Sequence, residues 1–324
     1  MKSIILIGDA RERLKELPAG SARTCVTSPP YFGLRDYGVD GQMGLEETPD
    51  TYVAEMVALF REVWRVLADD GTLWLNLGDS YAGGGGGNYN KTGVSQAGGQ
   101  HITNVLNRPE WLENAGVKPK DLIGIPWRVA LALQQDGWYL RSDIIWHKPN
   151  PMPESVRDRP TKSHEYVFLL TKSPKYYYDH VAVKVEASSA TIERNKHKYN
   201  GAFKNQFLGT PNEKRWQEGR LIENPTFAQD GKANRRSVWT IPTKSFKGAH
   251  FAVMPEALVE PCVLAGSQEG DTVLDPFTGS GTVAVVANRH GRNFIGTELN
   301  PEYAEIARER ITASNPMFNE VEIK

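Results

Sequence analysis

The 324-residue chain has room for one large domain or two smaller ones, and its 40% apolar and 24% charged residues exclude wholesale disorder. No run reaches the roughly 18–20 apolar residues that span a bilayer, and two cysteines, Cys25 and Cys262, exclude a disulfide framework and a four-ligand zinc site. The net charge of −1 hides an asymmetry: Lys184–His250 carries 13 Lys+Arg against 6 Asp+Glu, leaving 25 against 33 elsewhere. Such a basic stretch is either a surface for a polyanion, where cationic side chains replace condensed counterions, or a solvated face.

Along the chain, the short apolar run after Met1 stops at Asp9 and reads as a strand over Ser3–Gly8 rather than a secretory signal. With the cysteine count, this fits a reducing, cytoplasmic compartment. A second strand is expected at Thr24–Thr27. Thr51–Leu67 then places Val53, Met56, Val57, Phe60, Val63, Trp64 and Leu67 at three-and-four spacing, predicting a helix closed by Asp69-Asp70-Gly71. Strands follow at Thr72–Leu77, Leu140–Trp146 and Tyr166–Thr171, with a helix over Pro126–Gln135. Further on, helices are expected at Pro255–Ala265, Gly281–Arg289 and Pro301–Thr312, and strands at Thr272–Leu274 and Phe294–Thr297. Proline suits the first turn of a helix, where its missing N–H costs nothing. Apolar runs ending at small, polar or proline residues have the pattern of buried parallel strands whose carboxyl ends form a crevice. The alternation predicts an α/β fold with a mainly parallel sheet of seven strands.

Two stretches break this rhythm. Gly83–Gly87 opens a passage rich in Gly, Asn, Ser and Gln running to about Asn107, which reads as a flexible loop. A phosphate cradle is the sharper alternative, but no Gly-Lys-Ser/Thr follows. Residues 185–236 are basic, with Tyr199, Phe203, Phe207, Trp216 and Phe227 spaced through them, and look like an insertion serving recognition. The expected organisation is therefore 1–184, the insertion 185–236, and 237–324.

The chemistry concentrates at two strand ends. Asp275-Pro276-Phe277-Thr278-Gly279-Ser280-Gly281-Thr282 follows the run Thr272-Val273-Leu274. A glycine-rich turn between strand and helix lets a ligand approach the backbone, with Gly279 and Gly281 supplying positive φ. The next strand ends at Glu298-Leu299-Asn300, and an acid at that tip, about 20 residues beyond a glycine turn, suits both hydroxyls of a ribose. An ordinary tight turn and a surface acid near a helix N-terminus are the bland alternatives. The second centre is Thr27-Ser28-Pro29-Pro30-Tyr31-Phe32. Pro29 forces Ser28 into an extended conformation and neither proline has an N–H. The stiff, donor-poor segment presents a hydroxyl, carbonyls and an aromatic face, which suits a planar substrate carrying an amino group. Ser28 Oγ and the Pro29 carbonyl can accept the two amino hydrogens while Tyr31 stacks on the ring.

Ser28-Pro29-Pro30-Tyr31 near the N-terminus and Asp275–Thr282 near the C-terminus together resemble the amino-methylating DNA methyltransferases of the β arrangement, in which the catalytic motif precedes the cofactor motif. Supporting segments are Gly8-Asp9, Trp64–Leu67 with Asp70–Leu73, Trp146–Asn150, and His250–Ala252 before Met254-Pro255-Glu256. The resemblance implies a circularly permuted Rossmann-like fold in which the strands at Thr272 and Phe294 lie beside the strand at Ile4. It implies S-adenosyl-L-methionine as cofactor, held by Asp275, Phe277, Thr278, Gly279, Ser280, Gly281 and Thr282 around its methionine moiety. Glu298 and Asn300 would lie at its ribose and Asp9 near its adenine. It makes Ser28, Pro29, Pro30 and Tyr31 the catalytic tetrapeptide and 185–236 the target-recognition region. It makes double-stranded DNA the substrate, and a restriction endonuclease the partner such an enzyme protects against in a bacterium or phage. Family members acting on adenine N6 more often begin the tetrapeptide with Asp, so Ser28 leans toward cytosine N4. RNA or protein methylation is the reading from another class. Pro261-Cys262 tempts a thiolate reading for carbon-5 methylation, but Cys262 lies in an apolar helical stretch without an activating cation, as a structural cysteine does.

Overall fold

The computed structural model describes residues 1–34, 36, 38–82, 117–189, 231–244, 253–316 and 319–324. The glycine passage after Ala82, the aromatic residues expected in the insertion and His250-Phe251-Ala252 lie outside the described residues. The elements in chain order are β1 (Lys2–Ile7), α1 (Ala10–Arg13), β2 (Ala22–Thr27), α2 (Pro49–Val66), β3 (Leu67–Leu77), α3 (Ile125–Gln135), β4 (Tyr139–His147) and β5 (His164–Thr171). They continue with β6 (Val185–Glu186), β7 (Lys232–Ala233), β8 (Val238–Thr240), α4 (Glu256–Gly266), β9 (Thr272–Asp275), α5 (Thr282–Arg289), β10 (Asn293–Glu298), α6 (Pro301–Ser314) and β11 (Glu320–Ile323).

All seven expected strands form, joined in one sheet by the short edge strands β8 and β11, in the order β11-β1-β10-β9-β2-β3-β5-β4-β8. This sheet therefore has nine strands among the described residues, which corrects the expectation of seven. The permuted connectivity is present: Ser3 pairs with Phe294 and Ile7 with Glu298, β9 pairs with β10, and Cys25 pairs with Leu274. From β11 to β3 every pairing is parallel. The sequence pattern predicts a parallel β5, whereas the strand runs antiparallel to both β3 and β4. An apolar run records burial on both faces and carries no sign of direction.

Helix α2 starts where Thr48 accepts the Thr51 N–H at 3.1 Å and Pro49 occupies the first turn. Its buried stripe is Tyr52, Met56, Leu59, Phe60, Val63 and Val66. The helix ends at Val66, earlier than expected, because Leu67 is already extended and paired with Ala22. Asp69-Asp70-Gly71 therefore belongs to β3, within an irregularity where the pairing jumps from Ala22/Leu67 to Thr24/Thr72. Gly71 allows this bulge: a Cβ there would come within 2.9 Å of the Ala68 carbonyl and 3.0 Å of the Arg23 carbonyl. Pro255 and Gly281 sit one residue outside α4 and α5 as their N-caps, not in the first turns.

At the C-terminal half, α5 is buried through Thr282–Asn288 and α6 contributes Ala304, Ala307 and Ile311 to the core. The sheet and the turn after β9 approach closely at Gly296, where a Cβ would stand 2.1 Å from Thr278 Oγ1 and 2.6 Å from the Phe294 ring. Gly296→Ala is therefore expected to lower the thermal unfolding midpoint, at a cost of about 1–3 kcal/mol for overpacking. An unchanged midpoint would show that the turn can give way.

His180–Arg236 forms a compact unit of its own, in which β6 pairs antiparallel with β7. Among the described residues no helix is long and apolar enough to cross a membrane.

Candidate active site

Because β2 and β9 are neighbours, the segments after them meet at the carboxyl edge of the sheet although 248 positions separate Thr27 from Asp275. Thr27 Oγ1 donates to Asp275 Oδ1 at 2.7 Å, and the Phe277 N–H donates to the same oxygen at 3.0 Å. Both bonds land on Oδ1. Burial, against the lowering effect of these two bonds, and the nearby charge of Glu298 push the Asp275 carboxyl up to about 7.

The turn after Asp275 is built around two left-handed glycines, Gly279 at φ +52° and Gly281 at φ +78°. Gly281 also lies against α6, where a Cβ would be 3.0 Å from that of Ala307. The Thr278 N–H bonds the Thr297 carbonyl at 3.0 Å, and Thr297 Oγ1 donates to the Pro276 carbonyl at 2.5 Å. From behind, Arg310 Nη1 donates to Ser280 Oγ at 3.0 Å and to Thr282 Oγ1 at 2.9 Å, while its Nη2 reaches Glu256 at 3.1 Å. Ser280 and Thr282 thus use their hydroxyls to secure the turn. Arg310→Ala is expected to raise the dissociation constant of a ligand held on this turn about tenfold, the scale of a lost charged hydrogen bond. Calorimetric titration with S-adenosyl-L-methionine would check it, and an unchanged constant would show the turn to be self-supporting.

Glu298 closes the same side. Its Oε2 accepts the Gly279 N–H at 2.8 Å and its Oε1 the Asn300 N–H at 2.9 Å, and burial nonetheless raises its carboxyl above the usual range. Asn300 itself caps α6, accepting the Glu302 N–H at 2.9 Å. Asp9 caps α1 and is bonded to Arg11, whose Nη2 lies 2.5 Å from Oδ2. Burial pushes Asp9 up, but the hydrogen bonds and charge of Arg11 outweigh it and leave the carboxyl below its ordinary value.

These groups surround a cavity of about 340 Å³. Every residue expected at the cofactor or in the catalytic tetrapeptide lines it except Gly281. Asp9, Asp275 and Glu298 make one end acidic, which matches a ligand with a sulfonium, an ammonium and a ribose diol. Ser28, Pro29, Pro30 and Tyr31 form the facing wall. The Tyr31 ring lies over Gly78, where a Cβ would sit 2.5 Å from Cε2. The Tyr31 hydroxyl donates to Glu165 Oε2 at 2.8 Å. Burial first, then the charge of Glu165, hold that phenol well above its ordinary range. Ser28 Oγ donates to Asn76 Oδ1 at 3.3 Å.

Asn76, Lys148 and Glu165 are not singled out by the sequence as site residues, and all three line the cavity. Asn76 had a signal: an amide in the middle of the apolar run Thr72–Leu77, buried to 2% exposure. Lys148 falls in Trp146–Asn150, which stands out only by its family resemblance, and Glu165 stands one residue before an expected strand. Arg310 is one of several charged residues along α6, and nothing local marks it. Cys262 is buried in α4, its thiol donating to the Leu258 carbonyl at 3.3 Å, and it does not line the cavity.

The family model for DNA methylases matches residues 22–309. The type II methyltransferase M.Cfr9I of Citrobacter freundii is 49% identical over 304 residues, covering 94% of this chain and 86% of the relative. M.SmaI of Serratia marcescens is 48% identical, covering 95% and 90%. Among solved structures, the putative DNA modification methylase TTHA0409 from Thermus thermophilus, complexed with S-adenosyl-L-methionine, superposes with a TM-score of 0.59 at 24% identity, covering 100% of this chain and 98% of its own. PvuII DNA methyltransferase, described as cytosine-N4-specific, gives 0.59 at 18% identity, covering 98% and 94%. These two likenesses establish the common fold. The family match over most of the chain and the near-half identity to two type II methyltransferases establish more: this chain belongs to the DNA methylase family.

Proposed function

We propose that the protein is a type II DNA methyltransferase that moves a methyl group from S-adenosyl-L-methionine to the exocyclic N4 amino group of cytosine within a short site in double-stranded DNA. The observation that carries this reading is the junction of the Ser28–Tyr31 wall with the acidic turn at Asp275, tied by the Thr27–Asp275 hydrogen bond. Bound S-adenosyl-L-methionine supplies an electrophilic methyl on a sulfonium. Asp275 and the turn through Thr282 would hold its methionine end, and Glu298 its ribose.

The chain's own residues then act on the base. A stacked base cannot reach this cavity, so the nucleotide is extruded from the duplex. Tyr31, whose ring lies against Gly78 and lines the cavity, stacks on the base, a contact worth about 1–3 kcal/mol. Ser28 Oγ and the Pro29 carbonyl accept the two amino hydrogens, drawing the nitrogen lone pair out of conjugation. Alignment of that lone pair supplies most of the acceleration, with no covalent enzyme intermediate. The choice of cytosine over adenine rests on Ser28 where the resembling adenine enzymes more often have Asp. Residues 185–236 are assigned to target recognition by their basic, aromatic-spaced composition, and a cognate endonuclease is the expected genetic partner.

The class of acceptor is tested by incubating the protein and labelled S-adenosyl-L-methionine with unmethylated bacterial DNA, bacterial RNA and a protein extract in parallel. Label is expected in the duplex DNA alone; label entering RNA or protein in preference to DNA would overturn the reading.

A further inference from the structure

Behind the proposed catalytic wall lies a chain of hydrogen bonds whose direction is determined by its far end. Glu165, the second residue of β5, is ion-paired through Oε1 with Lys148 Nζ, and both side chains are largely buried. Lys148 in turn lies 4.3 Å from the centre of the Trp146 ring. The antiparallel pairing of β5 with β3 and β4 brings these residues together with Asn76. A carboxylate only accepts hydrogen bonds. Its Oε2 receives the Tyr31 hydroxyl at 2.8 Å and Asn76 Nδ2 at 3.3 Å. Asn76 Nδ2 also donates to the Tyr166 carbonyl at 3.0 Å, a second group that can only accept.

Two consequences follow from these partners. The Asn76 amide has one orientation, with Nδ2 toward Glu165 and Tyr166 and Oδ1 toward Ser28. The Tyr31 proton goes to the charged, shorter partner, in preference to Asn76 Oδ1 at 3.2 Å. Ser28 is then left with two acceptors in reach, Asn76 Oδ1 at 3.3 Å and Tyr31 Oη at 3.4 Å. Its proton points back into the protein and its lone pairs face the cavity.

We propose that Glu165, anchored by Lys148, is a positioning residue that polarises the Asn76–Tyr31–Ser28 chain so that Ser28 Oγ meets the target amino group as a hydrogen-bond acceptor. This rests on the reading of Ser28 as the group that accepts an amino hydrogen. Gln at 165 keeps the size but brings a donor and loses the charge. It frees the Tyr31 proton to turn toward Ser28 Oγ or Asn76 Oδ1, which takes from Ser28 one of its acceptors and lets Ser28 offer its own proton to the amine, the wrong polarity for activating a nucleophile. The device acts on the transferred hydrogen bond and leaves the cofactor turn untouched.

The test is a double-mutant cycle on the full-length protein. It reads the single-turnover rate of methyl transfer from labelled S-adenosyl-L-methionine to unmethylated bacterial DNA, alongside the cofactor dissociation constant. Glu165→Gln is expected to lower the rate about ten- to a hundredfold, the worth of a hydrogen bond to a charged group, with cofactor binding unchanged. In a Ser28→Ala background the same substitution should add less than about threefold, because residues acting through one bond are not additive. Equal factors in both backgrounds would mean a merely structural role and would overturn the proposal. So would an unreduced Glu165→Gln rate beside a reduced Ser28→Ala rate, in which case the reading of Ser28 survives. An unreduced Ser28→Ala rate would remove that reading and the proposal together. Should Glu165→Gln fail to bind cofactor, Lys148→Met, which frees Glu165 from its anchor, goes through the same cycle with the same two outcomes.

Discussion

Ser28→Ala is expected to lower kcat at least about a hundredfold, the scale on which loss of one preorganised polar group at a reacting centre acts, while the dissociation constant for S-adenosyl-L-methionine stays at its parental value. The separation follows from geometry. Ser28 belongs to the wall built after β2, and its hydroxyl bonds to Asn76 at 3.3 Å. The cofactor turn after β9 is held instead by Glu298, Thr297 and Arg310. Removing the hydroxyl deletes an acceptor that matters most as the amino nitrogen gains charge in the transition state, so the loss falls on kcat rather than on ground-state binding. Turnover under saturating DNA, with cofactor titrated separately, reads both quantities. A hundredfold weaker cofactor affinity with kcat preserved would place Ser28 in the wrong half of the site.

Asp275→Asn is expected to weaken cofactor binding about ten- to a hundredfold at pH 8 and to remove most of its pH dependence below pH 7. In the free protein burial pushes Asp275 up to about 7, so near neutrality the carboxyl is about half protonated. A cationic ligand beside the carboxyl favours the ionised form, so binding below pH 7 releases a proton and affinity should rise up to about tenfold per pH unit before levelling above pH 7. Asparagine keeps the acceptor for Thr27 and the Phe277 N–H but turns an N–H₂ toward the cation, and it does not titrate. Stability runs the other way. The folded pKa is raised above the unfolded one, so the contribution of Asp275 is fully present below the unfolded value of 3.8. It is lost as pH rises through about 7. The cofactor-free Asn variant should therefore gain midpoint relative to the parent at pH 8 and not at pH 4. A parental affinity that is flat between pH 5.5 and 8, measured by calorimetry, would show that Asp275 does not meet the cation.

Much of this arrangement is written locally in the residues. The strands at Ile4, Val26, Leu274 and Phe294 carry apolar runs that end at polar or glycine-rich turns, so their existence and their tips can be read directly. The permuted order comes with the resemblance, because no local pattern says that Leu274 will pair with Cys25. Direction is not legible for β5, which is as uniformly apolar as a parallel strand and is turned round by its connection to β4. The end of α2 is misplaced because Asp69-Asp70-Gly71 is as good a bulge as a helix stop, and the choice is made by pairing with Ala22 and Thr24. Edge strands β8 and β11 are three and four residues long, too short for a period to show. In the site, the residues that touch the cavity stand out where a turn demands glycine or proline. Asn76 is marked only by an amide inside an apolar run, and Glu165 and Arg310 by nothing local, because all three act through contacts 28 to 134 positions away.

The identity of the methylated base decides most. The protein, labelled S-adenosyl-L-methionine and unmethylated bacterial DNA are incubated together, the DNA is digested, and the labelled nucleoside is identified by mass spectrometry. The proposed reading of Ser28, where the resembling adenine enzymes more often have Asp, predicts N4-methylcytosine as the labelled product; N6-methyladenine in its place would contradict it.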